Sequence, residues 1–179
     1  MSEVAREYAS ALYELSEEEC AQDTYLAQLR EILSVFREYP QYVRLLGVPN
    51  VAVSERIGML DESFGGRCSE YILSFMKLMI ERGYAEYLCE CFVAFEDIYL
   101  ERHGIIRARV QSAKELDSER LAALHRRLEE YSHKKVQMSV TVNPTLIGGI
   151  RVELDGKLLE GSIKSRLDKL RSDIANITI

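Results

Sequence analysis

The stretch NPTLIGGIRVELDGKLLEGSIKSRL, Asn143 to Leu167, carries four of the ten glycines of the chain and decides how its second half folds. Within it, IRVEL alternates apolar and polar residues, which is the pattern of a half-buried strand. Asp155-Gly156 is a turn signal of the kind that joins two antiparallel strands, and KLLE after it predicts a short strand. We interpret Gly148-Gly149 as the lead into the first strand, and Gly161 as a turn before a last helix that Ser162 caps.

The segment GKLLEGS resembles a phosphate-binding loop, because a glycine stands at its end just before a predicted helix. Such a loop needs a lysine and then a hydroxyl residue after its second glycine, to neutralise phosphate and to reach magnesium. Here Ser162 and Ile163 hold those two positions, and Glu160 adds a carboxylate beside them. We therefore predict that the glycines form turns and that the loop binds no nucleotide.

Outward from this stretch, strand and helix patterns alternate through residues 105–179. IIRARVQS and KVQMSVTV have the period of strands, and LDSERLAALHRRLEEYS between them predicts a helix with Asp117 as its N-cap. SIKSRLDKLRSDI has a single apolar stripe and predicts a terminal helix. The order β-α-β-β-β-α predicts a small C-terminal α+β domain with a mostly antiparallel sheet.

Residues 1–104 contain helical periodicity only. Pro40, Gly83 and Gly104 interrupt the apolar pattern where helices are expected to end, and Ser54 is expected to cap the fourth helix. We predict an all-α bundle of about six helices. Val4, Tyr8, Leu12 and Leu15 form one apolar stripe on the first helix, and we expect about half of these side chains to face inward, with the small Ala9 and Ala11 as close-approach positions. The inward residues expected in the fourth helix are Ile57, Leu60 and Phe64.

Composition places the chain among ordinary globular proteins. Of its 179 residues 47% are hydrophobic and 29% are charged, and neither a signal peptide nor an apolar run of membrane-spanning length is evident. We therefore expect a cytosolic protein. Residues 1–104 hold 9 Lys and Arg against 19 Asp and Glu, whereas residues 105–179 hold 14 against 10. This polarity favours two domains with different partners, although solvated faces of opposite sign would also explain it.

The sequence contains no set of residues with the spacing of a catalytic or metal-binding site. Cys20, Cys68, Cys89 and Cys91 lack the partner spacing of a zinc site, and we expect free, partly buried thiols. The sequence therefore predicts no enzyme activity, no metal and no cofactor. Two basic pairs, Arg126-Arg127 and Lys134-Lys135, leave an RNA-binding adaptor with two domains as the alternative.

Several stretches resemble one known family. AREYASALYEL (Ala5–Leu15) resembles the A-R-x-Y-A-x-A-L opening of the delta subunit of F-type ATP synthases, the bacterial counterpart of the mitochondrial oligomycin-sensitivity-conferring protein. ERHGIIRARVQSAKELDSERL resembles the strand and helix that follow the bundle in that family. NPTLIGGIRVELDGKLLEGSIKSRLDKL is similar to the family's terminal signature, in which L-I-G-G precedes a hydrophobic strand. The resemblance covers essentially the full length.

The resemblance implies a non-catalytic stator in the peripheral stalk of a proton- or sodium-translocating ATP synthase. Residues 1–104 would bind the N-terminal helix of an alpha subunit in a groove between the first and fifth helices, and residues 105–179 would join the C-terminal ends of the b subunits. The protein would lie at the cytoplasmic face of the cell membrane without inserting into it. The implied groove residues are Tyr8, Ala9, Ala11, Leu12, Phe75, Leu78 and Met79. The implied structural signature is Gly148, Gly149, Asp155, Gly156, Gly161 and Ser162.

Overall fold

A computed structural model of the chain describes residues 2–146 and 148–160. Its first elements are the helices α1 (Glu3–Glu18), α2 (Gln22–Glu38), α3 (Pro40–Leu46), α4 (Val53–Phe64), α5 (Glu70–Glu81) and α6 (Leu88–Arg102), with a 3-10 turn at Ala85–Tyr87. They are followed by β1 (Ile105–Ser112), α7 (Ser118–Ser132), β2 (Lys135–Val142), β3 (Ile150–Leu154) and β4 (Lys157–Glu160). The predicted α+β fold, with about six helices ahead of a small sheet, is confirmed for the described residues.

The chain forms two compact units, Met1–Leu100 and Glu101–Ile179. The division falls inside α6 and therefore slightly before Gly104, where the sequence predicted it. Each unit has its own apolar core, one made by the helices and one between the sheet and α7. We describe each unit separately.

Helix α1 begins at a side-chain cap and turns small residues toward the core. The hydroxyl of Ser2 accepts a hydrogen bond from the backbone N–H of Ala5 at 3.1 Å, which satisfies one of the unpaired groups of the first turn. Of the expected apolar stripe, Leu12 is buried, whereas Val4, Tyr8 and Leu15 are half-buried. The residues that α1 buries are Ala5, Ala9, Leu12, Tyr13 and Ser16.

Aromatic rings form the centre of the helical unit. Phe36 of α2 lies 6.0 Å from Phe92 of α6 in a stacked arrangement, 5.8 Å from Phe64 edge-on, and 6.0 Å from Tyr42. Phe92 also lies 6.5 Å from Phe75 of α5. These contacts join α2, α3, α4, α5 and α6 through one continuous set of rings. The helices are therefore held by specific ring packing as well as by the burial of apolar area.

Helix α4 departs from the prediction in two ways. It begins one residue before Ser54, its N-cap is Ala52, and no side chain caps it. It also buries Arg56, whereas Ile57 is only half-buried. A guanidinium nitrogen of Arg56 donates a hydrogen bond to the carbonyl of Leu46 at 2.8 Å. Since this carbonyl ends α3, the cation also faces the negative end of a helix dipole, which explains why it tolerates burial.

The sheet of the second unit has the order β2-β1-β3-β4. β1 and β2 pair in parallel, with α7 as the connection between them, whereas β1–β3 and β3–β4 are antiparallel. The prediction of a mostly antiparallel sheet is therefore confirmed. Leu124 and Leu128 of α7 cover one face of the sheet. Asp117 caps α7 as predicted, because its carboxylate accepts from the backbone N–H of Arg120 at 2.7 Å.

The glycines of the opening stretch form turns as far as the structure describes them. β3 and β4 are joined by Asp155 and Gly156, whose φ angles of 48° and 75° are the left-handed pair that a tight hairpin of type I′ requires. Gly149, with φ of 83°, directly precedes β3. Gly161, Ser162 and the predicted terminal helix lie outside the described residues.

Candidate partner-binding surface

Helix α1 presents a second apolar stripe beside the one that it buries. Val4, Tyr8 and Leu15 are half-buried on this stripe and Ala11 is exposed, and their spacing of three or four residues places them on one face. The start of the helix is held to α6, because the backbone N–H of Ser2 donates to the Glu90 carboxylate at 2.8 Å. The same hydrogen bond is the main cause that lowers the pKa of Glu90.

Helix α5 contributes a neighbouring face. Tyr71 and Leu78 are 46% and 39% exposed, and Phe75, which is buried with 9% exposure, lies between them at helical spacing. The ring of Tyr8 contacts Phe75 edge-on at a centroid distance of 6.3 Å, so α1 and α5 meet at this pair. Tyr8 also contacts Tyr84, beyond the end of α5, at 5.8 Å.

We call this region the α1/α5 face. Its residues are Val4, Tyr8, Ala11, Leu15, Tyr71, Phe75 and Leu78. It has a floor of two aromatic rings and exposed apolar side chains on both sides. A surface of this kind fits the apolar side of a helix, whose anchors recur at the same spacing.

The residues that the sequence proposed for this groove separate into two groups. Ala11 and Leu78 are exposed, Tyr8 is half-buried, and Phe75 forms part of the floor. Ala9, Leu12 and Met79 are instead buried in the core of the bundle, so their side chains are not available to a partner. Sequence reasoning missed Val4, Leu15 and Tyr71 as surface residues. The spacing of Tyr71 relative to Phe75 and Leu78 was a signal that could have identified it.

Acidic residues border the α1/α5 face. Glu3, Glu7 and Glu14 each precede a residue of the apolar stripe of α1 by one position, and all three are exposed, as is Glu18. Glu70 and Glu81 are exposed at the two ends of α5. The face therefore suits an amphipathic helix whose apolar side is flanked by basic residues.

The second unit exposes polar and basic side chains on the sheet face opposite α7. Arg109 forms an ion pair with Glu153 across β1 and β3 at 3.4 Å, and Gln111 accepts a hydrogen bond from the side chain of Asn143 at 3.2 Å. The basic pairs proposed for RNA binding, Arg126-Arg127 and Lys134-Lys135, are exposed at α7 and at the start of β2.

The thiols differ widely in their environment. Cys20 is exposed, whereas Cys91 is buried in the helical core, and burial is the main cause that raises its pKa to about 12. Burial also raises the pKa values of Cys68 and Cys89. Across residues 2–146 and 148–160, no group of three or more potential ligands is placed to hold a metal ion.

None of the helices in the described part of the chain is both long enough and apolar enough to cross a membrane.

Comparisons with known proteins cover nearly the whole chain. A family model described as ATP synthase delta (OSCP) subunit matches residues 4–174. A protein of Clostridium perfringens named ATP synthase subunit delta is 30% identical over 166 residues, which are 93% of each chain. One of Desulfitobacterium hafniense with the same name is 28% identical over 173 residues, or 97% of each chain.

The fold also has a counterpart among solved structures. A chain in the mitochondrial ATP synthase hexamer of Toxoplasma gondii superposes with a TM-score of 0.74 and covers 97% of this chain and 98% of its own length. Its sequence identity of 16% means that this likeness bears on the fold alone. These comparisons give no support to the RNA-binding alternative.

Proposed function

Because the chain belongs to the ATP synthase delta (OSCP) subunit family and is a subunit of that complex, we propose that it acts as a non-catalytic stator. In this role it links the catalytic head to the membrane-anchored b subunits, so that the head does not turn with the rotor. The observation that carries the proposal is the family match over residues 4–174, which includes both units.

A stator must resist torque, and extended contact areas do this better than a single strong bond. The helical unit has a core of packed aromatic rings, which makes it a stiff support for such a contact. The α1/α5 face lies on its surface, and it combines exposed apolar side chains with an acidic border. These features support helix docking at this face.

The proposed occupant of the α1/α5 face is the N-terminal helix of an alpha subunit. The apolar side of that helix would lie over Tyr8 and Phe75, between Leu78 on one side and Ala11 on the other. Basic residues of the partner would then meet Glu7 and Glu14, both of which are exposed. The second unit is proposed to contact the C-terminal ends of the b subunits, in agreement with its more basic composition.

The complex is proposed to hold the protein at the cytoplasmic face of the cell membrane, as a peripheral subunit that does not insert. The direct test is purification of the ATP synthase from native membranes of the source organism, followed by identification of its subunits. We expect the protein to co-purify with the alpha and b subunits. Its loss while alpha and b remain together would contradict the stator role.

A sharper test addresses the α1/α5 face. The full chain is titrated by calorimetry with a synthetic peptide of the alpha-subunit N-terminus from the same organism, and Leu78→Ala is compared with Val53→Ala. The two side chains are each 39% exposed, and Val53 lies on α4, outside the face. We expect Leu78→Ala to weaken binding by about tenfold, which corresponds to about 1.4 kcal/mol. Val53→Ala should leave the affinity unchanged.

Two results would count against this assignment. The first is no measurable heat for the unsubstituted chain at high micromolar peptide. The second is an equal effect of the two substitutions, which would place the contact elsewhere even if the protein co-purifies with the complex.

A further inference from the structure

Helix α5 ends in a cap that fixes the course of the chain beside the α1/α5 face. Gly83 has a φ angle of 78°, in the left-handed region that favours glycine. Its backbone N–H donates to the carbonyl of Ile80 at 3.0 Å. The N–H of Tyr84 donates to the carbonyl of Met79 at 2.7 Å. These two hydrogen bonds form a Schellman motif, which satisfies the last carbonyls of the helix, so the backbone that follows α5 is held in one conformation.

The 3-10 turn at Ala85–Tyr87 continues from this cap and places two tyrosine rings at the surface. Ala85 is 1% exposed and belongs to the core of the helical unit, and the N–H of Tyr87 donates to the carbonyl of Tyr84 at 3.0 Å. Tyr84 and Tyr87 are both half-buried, and their rings meet edge-on at a centroid distance of 6.0 Å. Glu86 lies between them in sequence and is exposed. We call Tyr84, Glu86 and Tyr87 the aromatic turn.

The aromatic turn is continuous with the α1/α5 face. The ring of Tyr8 contacts Phe75 of the face at 6.3 Å and Tyr84 of the turn at 5.8 Å. Since Tyr84 in turn contacts Tyr87, one row of aromatic rings extends from the floor of the face to a position beyond the end of α5. A helix that lies on the α1/α5 face and extends past the end of α5 therefore reaches the aromatic turn.

The aromatic turn is also negatively charged. The charge of Glu86 is the main cause that raises the pKa of Tyr87, and the charge of Glu90 makes a smaller contribution. Both carboxylates therefore act on the Tyr87 hydroxyl. Within residues 2–146 and 148–160, no ion pair joins Glu86 to a basic side chain. The turn thus combines tyrosine rings, whose faces attract cations, with a carboxylate that the described part of the chain does not neutralise.

We infer that the aromatic turn binds a lysine or arginine side chain of the helix that docks on the α1/α5 face. The inference rests on the function proposed above, in which that helix belongs to an alpha subunit. The cation lies against the ring of Tyr87 and beside Glu86, while the apolar side of the same helix covers Tyr8 and Phe75. The ring face and the carboxylate both attract the cation, so the turn selects a partner with a basic residue next to its apolar stripe.

The experiment titrates the full chain by calorimetry with the N-terminal peptide of the alpha subunit from the same organism. Tyr87→Leu removes the ring and keeps an apolar side chain, whereas Tyr87→Phe keeps the ring. We expect Tyr87→Leu to weaken binding by about fivefold, and Tyr87→Phe to stay within about twofold of the unsubstituted chain. Glu86→Gln should weaken binding by about threefold, and this effect should shrink at high salt because the attraction between charges is screened.

Tyr39 and Glu38 provide a matched control. Tyr39 is 48% exposed, and a hydrogen bond with Glu38 is the main cause that raises its pKa, so this pair is also a tyrosine beside a carboxylate. The pair lies at the end of α2, outside the α1/α5 face and the aromatic turn. Tyr39→Leu and Glu38→Gln should therefore leave the affinity unchanged.

A set of substituted peptides identifies the cation. Each lysine and arginine of the peptide is replaced in turn by methionine, and every peptide is titrated into the unsubstituted chain and into Tyr87→Leu. One replacement should weaken binding to the unsubstituted chain by about fivefold and have almost no effect on binding to Tyr87→Leu, because two side chains in contact are not additive in a double-mutant cycle. Circular dichroism establishes that each variant is folded.

Three results would overturn the inference while the proposed function stands. They are the absence of any peptide replacement that is coupled to Tyr87, an equal loss of affinity in Tyr87→Phe and Tyr87→Leu, and an equal effect of Tyr39→Leu. In each case Leu78→Ala still reports on docking at the α1/α5 face. If the unsubstituted chain gives no measurable heat, the docking and this inference fail together.

Discussion

Replacement of Phe36 by alanine is the strongest test of how the helical unit is held together. Phe36 is almost completely buried in α2, and its ring contacts Phe64, Phe92 and Tyr42 at centroid distances of 5.8, 6.0 and 6.0 Å. The substitution therefore removes three ring contacts at once and leaves a cavity between α2, α3, α4 and α6. Its neighbour Val35 is 40% exposed on the same helix and provides the control.

The expected loss is large relative to the stability of such a unit. Phe→Ala in a core costs about 3–5 kcal/mol, and aromatic pairs contribute about 0.5–1.5 kcal/mol each beyond the area that they bury. Because these terms overlap, we expect Phe36→Ala to lower the free energy of unfolding by about 4–5 kcal/mol. Val35→Ala should stay within about 0.5 kcal/mol, since it changes an exposed position in a helix.

The assay is urea unfolding followed by tyrosine fluorescence. The chain has no tryptophan, and nine of its ten tyrosines lie in residues 1–104, so the signal reports mainly on the helical unit. The midpoint should fall for Phe36→Ala with little change in the m-value. A decrease of less than about 2 kcal/mol in the free energy of unfolding would refute the reasoning, because the specific ring contacts would then contribute little to stability.

Three further outcomes are expected from single side chains. Asp117→Ala should destabilise the second unit by about 1 kcal/mol, measured as faster amide exchange in the first turn of α7, and Asp117→Asn should retain most of the cap. In the native protein a thiol reagent should modify the exposed Cys20. Cys91, whose pKa burial raises to about 12, should react only after unfolding, and mass spectrometry of peptides measures both reactions. The hydrogen bond to Asp23 is the main cause that raises the pKa of Tyr99 from 10.0 to about 12. The stability that this hydrogen bond contributes is therefore fully present below pH 10 and is lost as the pH rises toward 12. Tyr99→Phe should abolish that part of the pH dependence in urea midpoints, and an unchanged profile would contradict it.

The positions of the elements could be predicted because they depend on local chemistry. Period-two runs became β1, β2 and β3, and the left-handed pair Asp155 and Gly156 joins β3 to β4 as a hairpin. Asp117 caps α7 because an N-cap needs only its own side chain and the first turn of the helix. The family was also evident from sequence, since its motifs extend along the chain.

The faces of the helices could not be predicted in the same way. Hydrophobicity placed Val4, Tyr8, Leu12 and Leu15 on one stripe of α1. Of these the structure buries only Leu12 fully, and it buries the small Ala5 and Ala9 as well. Small side chains let neighbouring helices approach closely, and this advantage depends on which helix lies opposite. A pattern within one segment contains no information about the helix that packs against it. In the structure, Val4, Tyr8 and Leu15 stay half-buried and form part of the α1/α5 face.

What the sequence by itself determined is therefore the order and type of the elements, their turns and caps, and the family. Tertiary structure alone decided three other features: the burial of Arg56 against the end of α3, the parallel pairing of β1 with β2, and the position of β2 at the edge of the sheet. Each of these depends on groups from different helices or strands, which meet only after folding. The proposed α1/α5 face also belongs to this second class.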